Sequence, residues 1–495
     1  MISMVFIRLS LSRIYTRVKK SDIFETLKHS QNYFIAQIIT NGLAFISIPI
    51  FTRFFSQEDY GIVSVYNSYL AFIIILLSAN ASASVSRYYF EKKQDFNEFL
   101  GTTLILTGGI FLVTTSLYLV FYDFIASSMK LPGFLPLLLI FSSFIMIFNT
   151  IYFQIVQAQR RSLESAIVSI IKGVLTLILA IIFVLLIEKE RYLGKIIATF
   201  IIGFVFAFFF IYQILATTKF SFNKDHVKYI LTYSIPLIPY ALSSIILAFF
   251  DRIMINEVVD AASAGLYSLG YNIAMLIALV IGATQTALLP DFFTFLNQKQ
   301  YSRLDALVSK VFAIITFAAL GLILFAPEII LVFVDTKFHE SLSVIPIIII
   351  GYLFFGMFTV YSRYITLTKK TIYSSLIMII SGLLNIVLNA ILIPQFGYIA
   401  AAYTTAISYF CLFLLSWIVS KFVLRQITTP LWKIWKSAFL LFIFLAIYTV
   451  ITLIPMNIIF LITVKLIILA LFFVQVFNQE LKKLLLSMKM QEVKN

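Results

Sequence analysis

Charge is scarce in this chain. Asp, Glu, Lys and Arg make up 12% of its 495 residues, against roughly a quarter in soluble domains. Cysteine is almost missing: Cys411 stands alone in an apolar run, which excludes a disulfide framework and a thiolate metal cluster. Three histidines, His29, His226 and His339, are too few and too scattered for a metal centre. No GxxxxGK[ST] sequence occurs, so no phosphate-cradling nucleotide loop of that type is present. Polar connections are short as well, the longest being about 16 residues. That leaves no extramembrane domain to carry a catalytic cluster, and the chain is not expected to be an enzyme.

What is abundant is apolar surface, with 61% hydrophobic residues. A soluble fold cannot hide that much, and hydrocarbon is the solvent that suits it. Apolar runs bounded by charge, Pro or Gly fall at 31–53, 60–84, 98–122, 134–156, 165–187, 193–215, 228–250, 262–289, 308–333, 342–364, 371–393, 398–420, 434–454 and 457–477. Each approaches or exceeds the ~20 residues needed to span a bilayer. Backbone groups in hydrocarbon must be bonded internally, so the runs are predicted to be helices. The expected fold is an all-α polytopic membrane protein of about fourteen transmembrane helices.

Lysine and arginine set the expected orientation. With the N-terminus inside, 28 basic residues fall on cytoplasmic segments and seven outside, namely Arg53, Lys130, Lys189, Arg191, Lys195, Arg252 and Lys337. The net charge of +15 is thereby explained by topology, and nucleic acid is not an expected partner. Both termini are predicted to be cytoplasmic, in the inner membrane. Residues 1–29 are basic and weakly amphipathic without a small-residue cleavage site, and are expected to lie on an anionic leaflet rather than to be a signal peptide.

The chain also repeats itself. A shift of 209 residues lays Tyr152 on Tyr361, Arg160-Arg161 on Lys369-Lys370 and Gly173 on Gly382. A shift of 199 lays Thr52-Arg53 over Asp251-Arg252, and each pair is followed by a Gly and a Tyr, Gly61 with Tyr66 and Gly265 with Tyr267. Two six-helix lobes in parallel repeat follow, at 30–219 and 220–425, with two trailing helices at 426–478 and a basic tail at 479–495. Such repeats place substrate sites at their interface.

Pro49-Ile-Phe-Thr-Arg53 followed by Ser56-Gln-Glu-Asp-Tyr-Gly61, with Tyr233-Ser-Ile-Pro-Leu-Ile-Pro239, Asp251-Arg252 and Ala264-Gly-Leu-Tyr267, resembles the signatures of polysaccharide-precursor transporters. These are the oligosaccharide flippases of the multidrug/oligosaccharidyl-lipid/polysaccharide exporter superfamily. The resemblance covers essentially the whole chain, and fourteen helices also resemble the peptidoglycan-precursor lipid flippases. It implies two lobes that open alternately to either side and carry an undecaprenyl-diphosphate-linked oligosaccharide, such as an O-antigen or capsule unit. Polysaccharide polymerases and chain-length regulators are then expected partners, beside membrane lipid.

A diphosphate cargo calls for cations inside the bilayer, where each charge is costly to retain. Lys172 stands deep in the fifth run and is a candidate cavity cation; the alternative is a side chain snorkelling to the interface. Arg53 and Arg252 are repeat-related, and Arg87 and Arg363 close the second and tenth runs. All four are candidates for phosphate contact, with topology anchoring as the alternative for each and, for Arg53 and Arg252, an ion pair to Asp251 or to Glu58-Asp59 as a further alternative. Lys465 lies mid-run in the last helix, and its role is left open.

Asn385 and Asn389, four apart, share one helix face, and Thr404 and Thr405 are candidates to lie opposite. These oxygens resemble the sodium site of the peptidoglycan-precursor flippases, but no carboxylate is expected beside them. Interhelical hydrogen bonding is the alternative. Coupling to Na+, to H+ or to the membrane potential alone stays open, and no other cofactor is expected. Pro236 and Pro239 form a candidate hinge. The competing function is a cation-coupled multidrug exporter, which normally needs a buried carboxylate. All 22 acidic residues are expected at helix ends or in loops, Asp251 and Glu328 being the deepest, and this favours an anionic cargo.

Overall fold

A computed structural model describes residues 22–454 and 457–478. Most of the basic N-terminal segment and the tail from 479 onward lie outside the described residues. Fourteen helices are long and apolar enough to span a membrane. They are α1 Gln31–Phe54, α2 Gln57–Ser78, α3 Phe96–Val120, α4 Leu135–Ala158, α5 Ser162–Leu186, α6 Tyr192–Thr217, α7 Lys224–Val258, α8 Ala261–Asn297, α9 Tyr301–Phe333, α10 Ile345–Leu367, α11 Ile372–Phe396, α12 Tyr398–Val423, α13 Leu431–Thr452 and α14 Ile458–Val476. No strand occurs among the described residues. The all-α, fourteen-helix expectation is met. Two short helices, Ala83–Glu91 and Tyr122–Met129, lie between the spans and were not foreseen, because their apolar content is too low to register as runs.

The repeat is visible in backbone geometry. Arg160, just past α4, has φ +57°, and its repeat mate Lys369, just past α10, has φ +58°. A left-handed residue closes a helix by turning its last amides back onto orphan carbonyls. Here Arg160 N–H donates to Gln157 O at 3.1 Å and Lys369 N–H to Thr366 O at 3.0 Å. Both basic residues accept the steric strain of that region, so the two loops share one turn as well as one charge pattern.

Two compact units form. The first holds the described residues through Phe54 together with Tyr66–Ala241; the second holds Phe55–Val65 and the described residues from Leu242 onward. In the first unit α5 packs between α1 and α6, and α6 also packs on α4. Its core is aromatic, with Tyr88 stacked on Phe99 at 3.7 Å between ring centroids and Tyr152 on Phe210 at 4.5 Å. Beside it, His226 Nε2 lies 3.1 Å from Asp95 Oδ2, which also accepts from Tyr88 Oη at 2.8 Å. Burial opposes ionisation of Asp95, but the hydrogen bonds from Tyr88 and His226 outweigh it and hold the carboxyl below its ordinary range.

In the second unit α12 packs against α10 and α11, and α9 against α8 and α13. The start of α2 crosses the start of α8 so closely that only glycine fits. A Cβ on Gly61 would stand 1.7 Å from Ala261 O, and one on Gly265 2.1 Å from Gln57 O. The two repeat-related glycines thus meet each other. Small residues let helix backbones approach in this way.

α7 is not a regular helix. A 3₁₀ turn spans Ile235–Leu237 at Pro236, and a π turn spans Ile246–Phe250. Proline removes a backbone donor and its ring displaces the preceding turn, which accounts for the first break. Pro236 and Pro239 therefore bracket an irregular segment.

Candidate functional site

Two polar centres stand out, one in each unit. In the first, α1, α4, α5 and α6 line an open cavity of about 440 Å³. Lys172 of α5 and Lys195 of α6 both line it, with Thr40, Ser47, Asn149 and Thr199 among the polar neighbours. Lys195 Nζ lies 4.3 Å from the Phe51 ring centroid, and Lys172 Nζ 5.8 Å from that of Phe210. The aromatic faces offer each ammonium partial compensation. Among the described residues no Asp or Glu lines this cavity, and Lys172 makes no ion pair. The buried carbonyl oxygen of Asn149 has no hydrogen-bond partner among them either. Two lysines and the hydroxyl side chains of Thr40, Ser47, Thr176 and Thr199 thus share one cavity.

In the second unit, Asp251 at the end of the π turn is fully buried, with 0% of its surface exposed. Three side chains donate to it, each at 2.6 Å: Tyr267 Oη of α8, Asn389 Nδ2 of α11 and Thr405 Oγ1 of α12. Thr404 donates to Asn389 Oδ1, and Asn389 Nδ2 also reaches Asn385 Oδ1 at 3.1 Å. The π turn sits immediately before this carboxylate, and such turns recur at functional sites. Asn385 Nδ2 and Ser381 Oγ beside the cluster are buried without partners among the described residues.

This arrangement overturns two expectations. A carboxylate does stand with Asn385, Asn389, Thr404 and Thr405, and Asp251 is buried rather than placed at a helix end. The reading that anions are absent from the spanning core therefore fails. The apolar run stops at 250, whereas α7 continues to Val258 and so holds Asp251 inside the span. The ion pair expected between Asp251 and Arg252 is also not formed. Consecutive helical residues point about 100° apart, and Arg252 instead lies 4.4 Å from the Tyr271 ring centroid and donates to Ala248 O at 2.5 Å. Tyr271, Tyr352 and Tyr409 join their hydroxyls above it, Tyr352 donating to Tyr271 at 3.1 Å.

The remaining candidates are dispersed. Arg53 is exposed. Arg87 is exposed, pairs with Glu91 at 2.6 Å and lies over Tyr233 at 4.9 Å. Arg363 donates to Gln285 O at 2.7 Å, while its Nη1 and both side-chain polar atoms of Gln285 lack partners among the described residues. Lys465 is fully buried and pairs with Glu328 at 2.6 Å; that pair explains how α14 tolerates a mid-helix cation. Lys195, Tyr267, Gln285 and Glu328 were missed as members of such centres. Lys195 had a signal, since it stands inside the sixth apolar run and yet was counted as a loop charge.

An all-helical bundle of fourteen candidate spans in two units is a multi-pass membrane protein, and its fold is shared with solved flippase and drug-exporter structures. The lipid II flippase MurJ in its inward closed conformation matches 91% of this chain and 99% of its own at a TM-score of 0.70, with 18% identity. An inward-facing multidrug resistance MATE transporter matches 79% and 96% at 0.61, with 16% identity. A Pyrococcus furiosus transporter described as having a binding pocket of reverse polarity matches 81% and 96% at 0.57, also with 16% identity. The sequence comparison is more specific. The model of the polysaccharide biosynthesis protein family matches residues 27–296, and the chain belongs to that family. A curated relative, the Lsg locus putative protein 1 of Haemophilus influenzae, is 25% identical over 413 residues, or 78% of this chain and 98% of its own.

Proposed function

We propose that this protein flips an undecaprenyl-diphosphate-linked oligosaccharide across the cytoplasmic membrane by alternating access. The observation that carries the reading is the cavity in the first unit, where Lys172 and Lys195 face one space that no carboxylate lines. A drug exporter for organic cations gains nothing from two lysines lining one cavity, whereas a diphosphate and its sugars match ammonium groups and hydroxyls. Family membership and the flippase fold support the same class. An outward step for about two negative charges is favoured by roughly 2.3 kcal/mol per charge per 100 mV of inside-negative potential. In this reading both termini are cytoplasmic, the cargo is an O-antigen or capsule unit, and a polymerase and a chain-length regulator receive the product.

Asp251 gives the second reading its footing, since cation-coupled exporters rely on a buried carboxylate. We assign it to coupling rather than to cargo. Its oxygens, with those of Thr405, Asn385 and Asn389, form an oxygen-rich set suited to a small cation, and a proton on the carboxyl is the alternative occupant. The test is reconstitution in vesicles with lipid-linked oligosaccharide, scoring glycan that becomes accessible on the far side under imposed potentials and Na+ or pH gradients. The expected result is glycan transfer that falls on Lys172→Ala together with Lys195→Ala. Export of a cationic dye without glycan transfer overturns the flippase reading in favour of the drug exporter.

A further inference from the structure

We propose that the pocket where α9, α13 and the end of α14 meet binds the headgroup of an anionic glycerophospholipid. It has a volume of about 480 Å³, and its basic lining is Lys310 of α9 with Lys433 and Lys436 of α13. Trp432 sits at its rim, 4.2 Å from Lys433 Nζ to the ring centroid. Ser309 Oγ donates to Lys433 O at 3.1 Å, which ties the two helices at the base of the pocket. Small residues at Ala306 and Ala313 leave the space open between them.

Placement and chemistry select the ligand. The pocket lies where α9 and α13 begin and α14 ends, the side to which the lysine and arginine distribution assigns the cytoplasm. Trp is enriched at the bilayer interface because its ring is amphipathic. Basic pockets between helices on the cytoplasmic side hold anionic headgroups. The first turn of α13 has no side-chain cap, so its amides add a positive dipole end next to the lysines. Among the described residues Asp305 acts on Lys433 electrostatically, while Lys436 forms no ion pair. Gln475 and Asn478 at the end of α14 also line the pocket and suit the hydroxyls of a glycerol headgroup. Phe439 and Ile443 continue from it as an exposed apolar track along α13, a path for an acyl chain. Lys172, Lys195 and Asp251 take no part, so the proposal stands apart from the flippase reading.

The test uses the full chain purified in detergent, with retained lipid counted by native mass spectrometry after titration with phosphatidylglycerol or phosphatidylethanolamine of matched chains. One phosphatidylglycerol is expected to be retained in preference to phosphatidylethanolamine. Lys433→Gln with Lys436→Gln is expected to weaken it about thirty-fold, at about five-fold per lysine. The exposed pair Lys369→Gln with Lys370→Gln removes the same charge elsewhere on that side and is expected to leave it unchanged. Ala313→Leu fills the pocket without altering charge and is expected to reproduce the loss, which covers the case in which the double variant does not fold. Equal weakening by the Lys369/Lys370 variant, equal retention of the two lipids, retention unaffected by Ala313→Leu, or stoichiometric displacement by undecaprenyl diphosphate each overturns the proposal.

Discussion

The two polar centres solve opposite problems. In the first unit Lys172 and Lys195 share a cavity with hydroxyls and aromatic faces and no acid. In the second, Asp251 accepts from three donors and is excluded from solvent. A charge kept in an open, polar cavity retains capacity for a ligand. A charge enclosed by donors has already spent most of its hydrogen-bonding capacity on its own protein. Lys465 with Glu328 is a third case, in which charge meets charge directly.

That contrast can be broken by experiment. The largest effect is expected from Lys172→Ala combined with Lys195→Ala. Two charge-assisted contacts at about 1.5–3 kcal/mol each predict a loss of glycan translocation beyond a hundred-fold. The vesicle assay measures it, and a variant that keeps most of its rate removes the cavity from the cargo path. Next comes Lys465→Met, which strands Glu328 and should lower unfolding free energy by about 3–5 kcal/mol. Lys465→Met with Glu328→Leu should recover most of that. Thermal unfolding reads both, and a double variant as unstable as the single one would show that packing, not charge, governs the site. Asp251→Asn keeps the shape of the side chain and removes its charge. It should lower translocation about ten-fold and abolish its dependence on the Na+ or pH gradient, while an unchanged ion dependence separates Asp251 from coupling. The smallest effect concerns Asp95, outside the spans. Its carboxyl is held below its ordinary range, so it stabilises the fold above the unfolded value and loses that contribution as pH falls through the native one. Asp95→Asn should flatten the acid limb of the stability curve measured by light scattering, and an unaltered limb would place the proton uptake elsewhere.

Much of the fold was legible because hydrocarbon leaves a backbone few choices. Fourteen runs, the basic turns after α4 and α10 and the paired glycines can be read from spacing. What could not be read is side-chain destination. Asp251 lies just past an apolar run that ends at 250, and α7 runs on to Val258. Asn389 and Thr405 then reach it from α11 and α12, more than a hundred residues further along the chain. Lys195 was hidden by the opposite error: a charge near a helix start was taken for a loop residue, although α6 begins at Tyr192 and its fourth residue faces a cavity.

The π turn in α7 has a mechanical corollary. It winds one more residue per hydrogen-bonded loop than an α-helix does, so the helix carries a stored increment of length. Releasing that increment would turn the residues beyond Phe250 by about 100° and slide them by about 1.5 Å. Asp251 would swing out of reach of all three of its donors together, without a single turn of the helix being lost.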